Sequence, residues 1–392
     1  MKKTILLIIA LVLYISFSPA FAETKTFIKE YTYQASEDDS RNSSRTIALR
    51  EVKRLLLEEL GTYLESVTEV QNFQLTKDQI VTLTAGIVQT EIVDEKWDGH
   101  TYWLRARVAA DSDSVIKNID ALRSDREKTK ELEEVRKRSD EQLREIEKLR
   151  KELATAKDES RAKKKAAYDD TISSLKAIEW VEKGIALGRA GDHNNAIESF
   201  TKAIELNPIY AVSYNNRGIG YGRIGNHERA IEDFTKAIEL NPIYADAYNN
   251  RGVAYGRTGN QRQAIEDYGK AIELNLKYSL AYNNRGIAYG RLGNYELAIE
   301  DFTKTIELNP IYADAYNNRG VAYGNLGKHR QALKDFDKAI EINPKYAHAY
   351  YGRGIAYGKL GNHKQSIEDT KTAARLGEKR AQDFLRRKGI DW

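Results

Sequence analysis

The sequence predicts a mainly α-helical fold: a right-handed superhelix of six helix-pair repeats, preceded by a long charged helix and a small N-terminal α+β domain. Three observations support this prediction. Glycines recur every 34 residues in the C-terminal half, the stretch from Ser112 to Lys176 contains neither Gly nor Pro, and residues 26–108 mix alternating and helical apolar patterns. With 41% hydrophobic and 31% charged residues, the 392-residue chain also suits an elongated, repetitive structure.

The composition excludes several classes of function. The chain has no Cys, which excludes disulfides, thiolate nucleophiles and Cys-ligated zinc or iron–sulfur clusters. Its net charge is only +4, and two basic residues lie in a segment that we expect to be removed, so no basic field indicates nucleic-acid binding. Phosphate-binding glycine loops and the HExxH and GxSxG motifs do not occur. We therefore expect no enzyme activity, no catalytic residues, no cofactor and no metal site.

Residues 1–22 are predicted to be a secretory signal peptide. Lys2 and Lys3 precede an apolar run from Ile5 to Phe17, and Ala20-Phe21-Ala22 has the small-x-small pattern of a cleavage site. The alternative is an uncleaved anchor, but the apolar run is shorter than the ~20 residues that a spanning helix needs. We expect cleavage after Ala22, a periplasmic or secreted bacterial protein, and no stable membrane insertion afterwards.

Residues 23–111 are predicted to form a small α+β domain. One segment is rich in aromatic and β-branched residues, apolar residues alternate in two others, and they recur at helical spacing in two more. The expected strands are 26–34, 87–93 and 102–108, and the expected helices are 44–65 and 77–85. This β-α-α-β-β order, with an Asp98-Gly99 turn in the last hairpin, predicts an antiparallel sheet with helices on one face. Trp97, Tyr102 and Trp103 are either packed within the hairpin or part of a binding surface.

The N-terminal domain resembles the N-terminal domain of the flagellar assembly protein T and related envelope proteins. The resemblance lies in the order and size of the elements and in Ser44-Arg45-Thr46-Ile47-Ala48 at the start of the helix. It implies no catalytic residue.

Residues 112–168 are predicted to be a charged helix. An apolar seam, with two polar members, recurs along it at alternating steps of three and four residues. Its members are Leu132, Val135, Ser139, Gln142, Ile146, Leu149, Leu153 and Ala156. The seam predicts a coiled coil that forms a homodimer through residues 132–156. The alternative is a lone, salt-bridged helix that spaces the two ends of the protein.

The C-terminal half contains six repeats of 34 residues over 177–380. Gly184 and Gly191, with their equivalents in every later repeat, are the clearest markers. The repeats are 177–210, 211–244, 245–278, 279–312, 313–346 and 347–380. The pattern of an aromatic residue at position 4, Gly at 8, Tyr at 11, Ala at 20, an aromatic at 24, Ala at 27 and Pro at 32 resembles the tetratricopeptide repeat. The resemblance implies two helices per repeat, stacked into a right-handed superhelix.

The last segment, 381–392, is predicted to cap the repeats. Ala381, Phe384 and Leu385 recur at helical spacing, and Trp392 is expected to close the exposed edge.

In this family the first helix of each pair forms a concave groove. Positions 5 and 6 of that helix are Asn-Asn in four successive repeats, and position 13 is Arg in three of them. These predicted partner-binding residues are Asn215, Asn216, Asn249, Asn250, Asn283, Asn284, Asn317, Asn318, Arg223, Arg257 and Arg291. Exposed amides can donate to and accept from a peptide backbone. The position-6 residues also resemble the asparagine ladder of a sugar-transferring enzyme that carries such repeats. The alternative is that near-identical repeats simply copy a polar residue.

Other repeat positions predict structural roles. The carboxylate clamp of chaperone-binding repeats needs Asn at position 9, where this chain has Ile or Val, so that clamp is absent. The Ile/Val row is either an apolar floor of the groove or part of the helix packing. Arg at position 7 and Asp at position 23 are predicted to form ion pairs between helices. Four histidines at position 17 are expected to be solvated residues of the turn, without the partners that a metal site needs.

Two functions are compatible with these patterns. The first is a non-enzymatic, exported scaffold that binds a peptide or protein partner in the repeat groove. The second is a structural assembly factor of a cell-envelope machine, which acts through the N-terminal domain and the coiled coil.

Overall fold

The structure, a computed structural model, describes residues 24–69, 77–85, 87–88, 90–111, 114–119 and 126–392. The predicted signal peptide, 1–22, lies outside the described residues. The chain divides into two compact units, of which the first ends at Lys176 and the second begins at Ala177.

The first unit contains a three-stranded antiparallel sheet. Its strands are β1 (Thr24–Gln34), β2 (Glu91–Trp97) and β3 (Thr101–Asp111), in the order β1-β3-β2. The helices α1 (Arg41–Glu69) and α2 (Lys77–Ala85) lie between β1 and β2 in the chain. This is the predicted order of elements. Strand β2 begins later than expected because Ile87 and Val88 both donate to the Thr84 carbonyl oxygen, in a turn that follows α2.

One face of the sheet is buried under α1. Leu56, Leu60 and Leu64 recur every four residues on α1 and are fully buried, as are Leu104 and Val108 of β3. Period-2 alternation in the strand and a helical stripe in α1 therefore meet in one core. Among the hairpin aromatics, Tyr102 is buried in this core, whereas Trp97 and Trp103 are half-buried.

The predicted single charged helix is wrong. Residues 114–119 are helical, and after residue 125 the chain forms two further helices, α3 (Arg126–Leu153) and α4 (Asp158–Arg189), separated by a turn. The sequence has no Gly or Pro there, and tertiary contacts mark the break instead. Arg161 donates to the Leu153 carbonyl oxygen (3.0 Å) at the end of α3, and it also pairs with Asp38 at 2.9 Å. Residues 23–111 and 112–168 are consequently not separate bodies, since both lie in the first unit.

The predicted coiled-coil seam is buried within a single chain. Leu132, Val135, Ser139, Ile146 and Leu149 are all less than a tenth exposed without a partner chain, and α3 packs against α2. The prediction of a homodimer through 132–156 requires a free apolar seam. In this structure these seam residues are covered by the same chain.

A buried carboxylate joins β1, α3 and α4. The Asp39 side chain is 0% exposed and accepts hydrogen bonds from the Tyr33 hydroxyl (3.1 Å), from the Ser36 amide (2.8 Å) and from the Tyr168 hydroxyl. Arg150 of α3 lies 3.4 Å away. Burial alone raises the pKa of a carboxyl group, but the hydrogen bonds from Tyr168 and Ser36 and the charge of Arg150 hold the pKa of Asp39 below its ordinary value.

The second unit is a stack of helix pairs, and we call the two helices of each repeat helix A and helix B. Helix A of repeat 1 is the end of α4, from Ala177 onward, and its helix B is α5 (His193–Leu206). The following pairs are α6 (Ala211–Arg223) with α7 (His227–Leu240), α8 (Ala245–Arg257) with α9 (Gln261–Leu274), α10 (Ser279–Arg291) with α11 (Tyr295–Leu308), α12 (Ala313–Asn325) with α13 (His329–Ile342), and α14 (Ala347–Lys359) with α15 (His363–Arg375). From repeat 2 to repeat 5, each helix A contacts its own helix B and the helix A of the next repeat.

Two glycines per repeat have the roles expected of them. A Cβ atom at Gly286, position 8 of repeat 4, would lie 2.7 Å from the Phe302 ring, so the close approach of helices A and B requires Gly there. Gly293, at position 15, has a φ of 82° and terminates helix A in the left-handed conformation.

Ion pairs connect the two helices of repeats 2 to 6, as the sequence predicts. In repeat 2, two guanidinium nitrogens of Arg217 each lie 2.8 Å from an Asp233 carboxylate oxygen. A third nitrogen donates to Thr201 of the preceding repeat (3.2 Å), so the same side chain links successive repeats. The hydrogen bonds to Asp233 raise the pKa of Arg217 above its ordinary value.

The helix α16 (Lys379–Lys388) covers the last repeat. Ala381 and Leu385 are fully buried, as expected, and Phe384 and Ile390 pack beside them. The expectation that Trp392 closes this edge is wrong, because Trp392 is 40% exposed and Ile390 packs there instead. Within the described ranges, no helix combines the length and apolar character needed to cross a membrane.

Candidate partner-binding groove

The exposed surface of the A helices contains an apolar row. Val253, Val321 and Ile355, at position 9, are 38%, 46% and 48% exposed, although helix packing normally buries such side chains. The Ile/Val row had two interpretations, an apolar floor of the groove or part of the helix packing. These three exposed residues fit the first. Ile185 in repeat 1 is buried and belongs to the packing.

The position-5 asparagines do not line the groove as exposed amides. Asn215, Asn249, Asn283 and Asn317 are between 2% and 7% exposed. The prediction that they are accessible to a partner backbone is wrong, because each lies on the side of helix A that faces the next repeat.

The position-6 asparagines connect the repeats. Asn250 donates to Asn215 Oδ1 (3.1 Å), Asn284 donates to Asn249 Oδ1 (3.1 Å), and Asn318 donates to Asn283 Oδ1 (3.3 Å). Asn250, Asn284 and Asn318 remain half-buried, whereas Asn216 is buried and donates to the Val212 carbonyl oxygen. The sequence-predicted ladder is therefore a real row of amides, and its members first serve to hold neighbouring repeats together.

The row ends where the repeats diverge. Repeat 1 has Val181 at position 5, and repeat 6 has Gly352 at position 6. Without an amide at Gly352, Asn317 Oδ1 is buried and finds no hydrogen-bond partner among the described residues. The pattern of partners confirms that each bond needs both residues of the pair.

The three predicted arginines differ from one another. Arg223 and Arg257 are exposed and form no salt bridge with any residue that the structure describes. Arg291 is also exposed, but its guanidinium donates to the Gly256 carbonyl oxygen of the preceding repeat (3.3 Å). These three positive charges therefore lie at equivalent places, one repeat apart. The Arg291 guanidinium already has one hydrogen-bond partner.

A cleft of about 220 Å³ opens between helix A of repeat 4 and helix A of repeat 5. Its walls include the apolar side chains of Ile287, Val321 and Phe302, together with the Tyr295 ring. The polar groups at the cleft come from Arg291, Asn318 and Asn325. This composition suits non-covalent binding of an apolar group with polar contacts at its edge.

The residues of this cleft do not stand out as a set in the sequence. Arg291 and Asn318 were predicted to be partner-binding residues, whereas Tyr295 and Gly290 were not. Another residue of the cleft, Asn325, is marked in the sequence, because position 13 changes from Arg to Asn only there.

No metal centre is found in the part of the chain that the structure describes, because no three His, Asp or Glu side chains are grouped to hold an ion. Of the position-17 histidines, His193, His227 and His329 are half-buried and His363 is exposed, each at the first residue of a helix B.

Family models match most of the second unit. Models described as tetratricopeptide repeat match residues 180–210, 245–278, 279–312, 313–346 and 336–368, and a model described as TPR repeat matches residues 221–259. No curated protein matches the chain.

Three solved structures illustrate what the chain is similar to. MamA is 33% identical, with a TM-score of 0.39 over 42% of this chain and 96% of MamA. YrrB, a TPR protein with an unusual peptide-binding site, is 28% identical, with a TM-score of 0.41 over 46% of this chain and 93% of YrrB. The pilF protein of Pseudomonas aeruginosa is 16% identical, with a TM-score of 0.49 over 55% of this chain and 99% of that protein. On its matched segments, the second unit of this chain belongs to the tetratricopeptide repeat family.

Proposed function

We propose that this chain is a non-enzymatic, exported scaffold that binds a peptide or protein partner in the groove of its repeats. One observation carries the proposal: the A helices expose an apolar row at position 9 beside arginines that no carboxylate of the described residues neutralises. Exposed apolar surface is unfavourable in water and a partner would cover it, while the unpaired charges beside it would attract a partner of opposite charge. Membership of the repeat family supports the same conclusion, because stacked helix pairs of this kind present extended concave binding surfaces.

The groove is tested by reversing its charge in the full chain. Arg223→Glu with Arg257→Glu changes two exposed side chains that make no salt bridge within the described ranges, so the helices and the melting temperature should be retained. Partners captured from an envelope extract by the unmodified protein should be lost by this variant. Arg262→Glu with Lys334→Glu, two exposed side chains on helices B that make no salt bridge within the described ranges, is the matched charge-reversal control and should keep them. Retention of every partner by the arginine variant would refute binding in the groove.

Export is part of the proposal and rests on the sequence of residues 1–22. Mass spectrometry of the protein purified from its native host should find Glu23 at the N-terminus. A mature protein that still begins at Met1 would contradict cleavage.

The alternative function is that of an assembly factor of an envelope machine, which would act through the first unit. The resemblance of that unit to the flagellar assembly protein T domain supports this alternative. The same capture experiment separates the two functions. Partners that survive the charge reversal and are lost on changing a half-buried residue of the sheet, such as Trp103→Ala, would favour the alternative.

A further inference from the structure

We infer that the cleft between repeats 4 and 5 binds one large apolar side chain of an acidic peptide segment. This inference rests on the proposed function and names the class of ligand for the same groove. It is carried by the shape of the cleft and by the charges beside it.

The volume of the cleft suits a single side chain. At about 220 Å³ it is smaller than the pockets that hold drug-sized ligands and cofactors. Ile287, Val321 and Phe302 give it apolar walls, and Val321 is 46% exposed there. An aromatic or branched aliphatic side chain would cover this surface and would be the anchor of the bound segment.

The position-13 side chain of repeat 5 does not cover this cleft. In repeat 4, Arg291 extends back to repeat 3, where its guanidinium lies 3.9 Å from the Cβ position of Gly256. In repeat 5 the equivalent residue is Asn325, whose amide donates to the Val321 carbonyl oxygen of its own helix (2.9 Å). Asn325 therefore does not extend back over Gly290, where an added Cβ atom would meet nothing within 4 Å.

The charges beside the cleft favour an acidic segment. Arg257 and Arg291 occupy position 13 of the A helices of repeats 3 and 4, and neither forms a salt bridge in the described part of the chain. The carboxylates of the A helices of repeats 2 to 6, Asp246 and Asp314, lie at position 2, which is about 16 Å away along the helix axis. Asn318 uses one amide hydrogen for Asn283 and keeps a second for a partner carbonyl oxygen.

The test uses the full chain and three fluorescein-labelled pentapeptides. The first is Asp-Asp-Phe-Asp-Asp, the second has Ala in place of Phe, and the third has Lys in place of every Asp. The first should bind at least tenfold more tightly than the other two in fluorescence anisotropy. Equal binding of the Ala or Lys peptide would overturn the inference.

A filled cleft gives the decisive variant. Gly290→Leu should weaken binding of the Phe peptide at least tenfold, while the helix gains a better helix-forming residue. Gly222→Leu is the matched control: it has the same position in repeat 2 and the same open surroundings, and lies two repeats away, beyond the ~18 Å span of a pentapeptide. It should bind as the unmodified protein does. Equal affinity in both variants would place the anchor elsewhere.

A second variant keeps the test valid if Gly290→Leu fails to fold. Val321→Ser changes an exposed wall residue and should weaken the Phe peptide about fivefold without changing the Ala peptide. If no pentapeptide binds, yet Arg223→Glu with Arg257→Glu still loses its captured partners, the inference fails and the proposed function stands. If that arginine variant keeps its partners, the proposed function itself fails.

Discussion

Gly269 interrupts a hydrogen-bond pattern that other repeats share. Thr201, Thr235 and Thr303 accept a bond from the arginine at position 7 of the following repeat, at 3.0–3.2 Å. Repeat 3 has Gly269 at the equivalent place, and a Cβ atom there would lie 3.7 Å from Arg285 Nη1, an ordinary contact distance. The link between repeats 3 and 4 therefore lacks one bond for which the space exists.

Gly269→Thr should stabilise the repeats more than Gly269→Val. Both substitutions replace glycine inside a helix by a β-branched residue of similar size, so the pair isolates the hydroxyl group. Its bond to the Arg285 guanidinium should add about 1–2 kcal/mol to the free energy of unfolding. Urea unfolding followed by circular dichroism measures the difference. Equal midpoints for the Thr and Val variants would show that Arg285 does not reach the hydroxyl group.

Asp39 gives the first unit a pH-dependent stability. Its pKa is depressed in the folded state, so the stabilisation is complete above the unfolded value of about 4 and is lost as the pH falls through the folded value. Burial raises the pKa of both Tyr33 and Tyr168, which therefore remain protonated donors.

Asp39→Asn should destabilise the first unit by about 2–4 kcal/mol at pH 7, because it removes a buried acceptor that also pairs with Arg150. The difference from the unmodified protein should shrink as the pH falls from 5 to 3. Glu37→Gln removes the same charge from an exposed neighbour and should have little effect. A difference that stays constant with pH would contradict an ionised Asp39.

At the scale of the helix, the amide row shows how one repeat is fixed to the next. The bonds run from position 6 of one helix A to position 5 of the preceding helix A, and the accepting side chains are buried. Removing the donor leaves the buried acceptor without a hydrogen bond. This lowers the free energy of unfolding by more than an average hydrogen bond contributes.

Asn250→Ala should therefore lower the free energy of unfolding by about 1 kcal/mol, since it strands Asn215 Oδ1 and Ala recovers only a few tenths through helix propensity. Asn215→Ala with Asn250→Ala removes both partners and should cost less than the sum of the two single changes. Strict additivity in urea unfolding would mean that the two amides do not interact.

At the scale of the whole molecule, the burial of the apolar residues of α3 predicts a monomer. They are buried in a single chain, so the structure provides no free seam for a second copy in the described part of α3. Light scattering of the full chain should therefore give the mass of a monomer at tens of micromolar.

Ile146→Lys with Leu149→Lys should leave that mass unchanged and destabilise the first unit by more than about 3 kcal/mol, because both lysines replace buried apolar side chains. Lys137→Ala, on the exposed face of the same helix, is the control. A dimer that the lysine variant converts to a stable monomer would restore the coiled-coil prediction.

The sequence by itself determined the repeats, their length and the roles of their strongest markers. Gly286, Gly293 and the pair Arg217–Asp233 could be predicted because each satisfies a local requirement, a close approach, a turn or an ion pair, which recurs at one spacing. The elements of the N-terminal sheet were predictable for the same reason, since alternation and helical spacing reflect the nearest neighbours of each residue.

Only the tertiary structure decided which polar and apolar residues are accessible. Asn249 and Asn250 are adjacent and identical in the sequence, yet one is buried against the next repeat and the other is half-exposed. Leu149 is a seam residue that is buried within a single chain, and the cleft beside Gly290 is lined by side chains of two successive repeats. The periodicity of the sequence shows which face of a helix or strand is apolar. Which segment packs against that face depends on contacts between residues that are distant in the sequence.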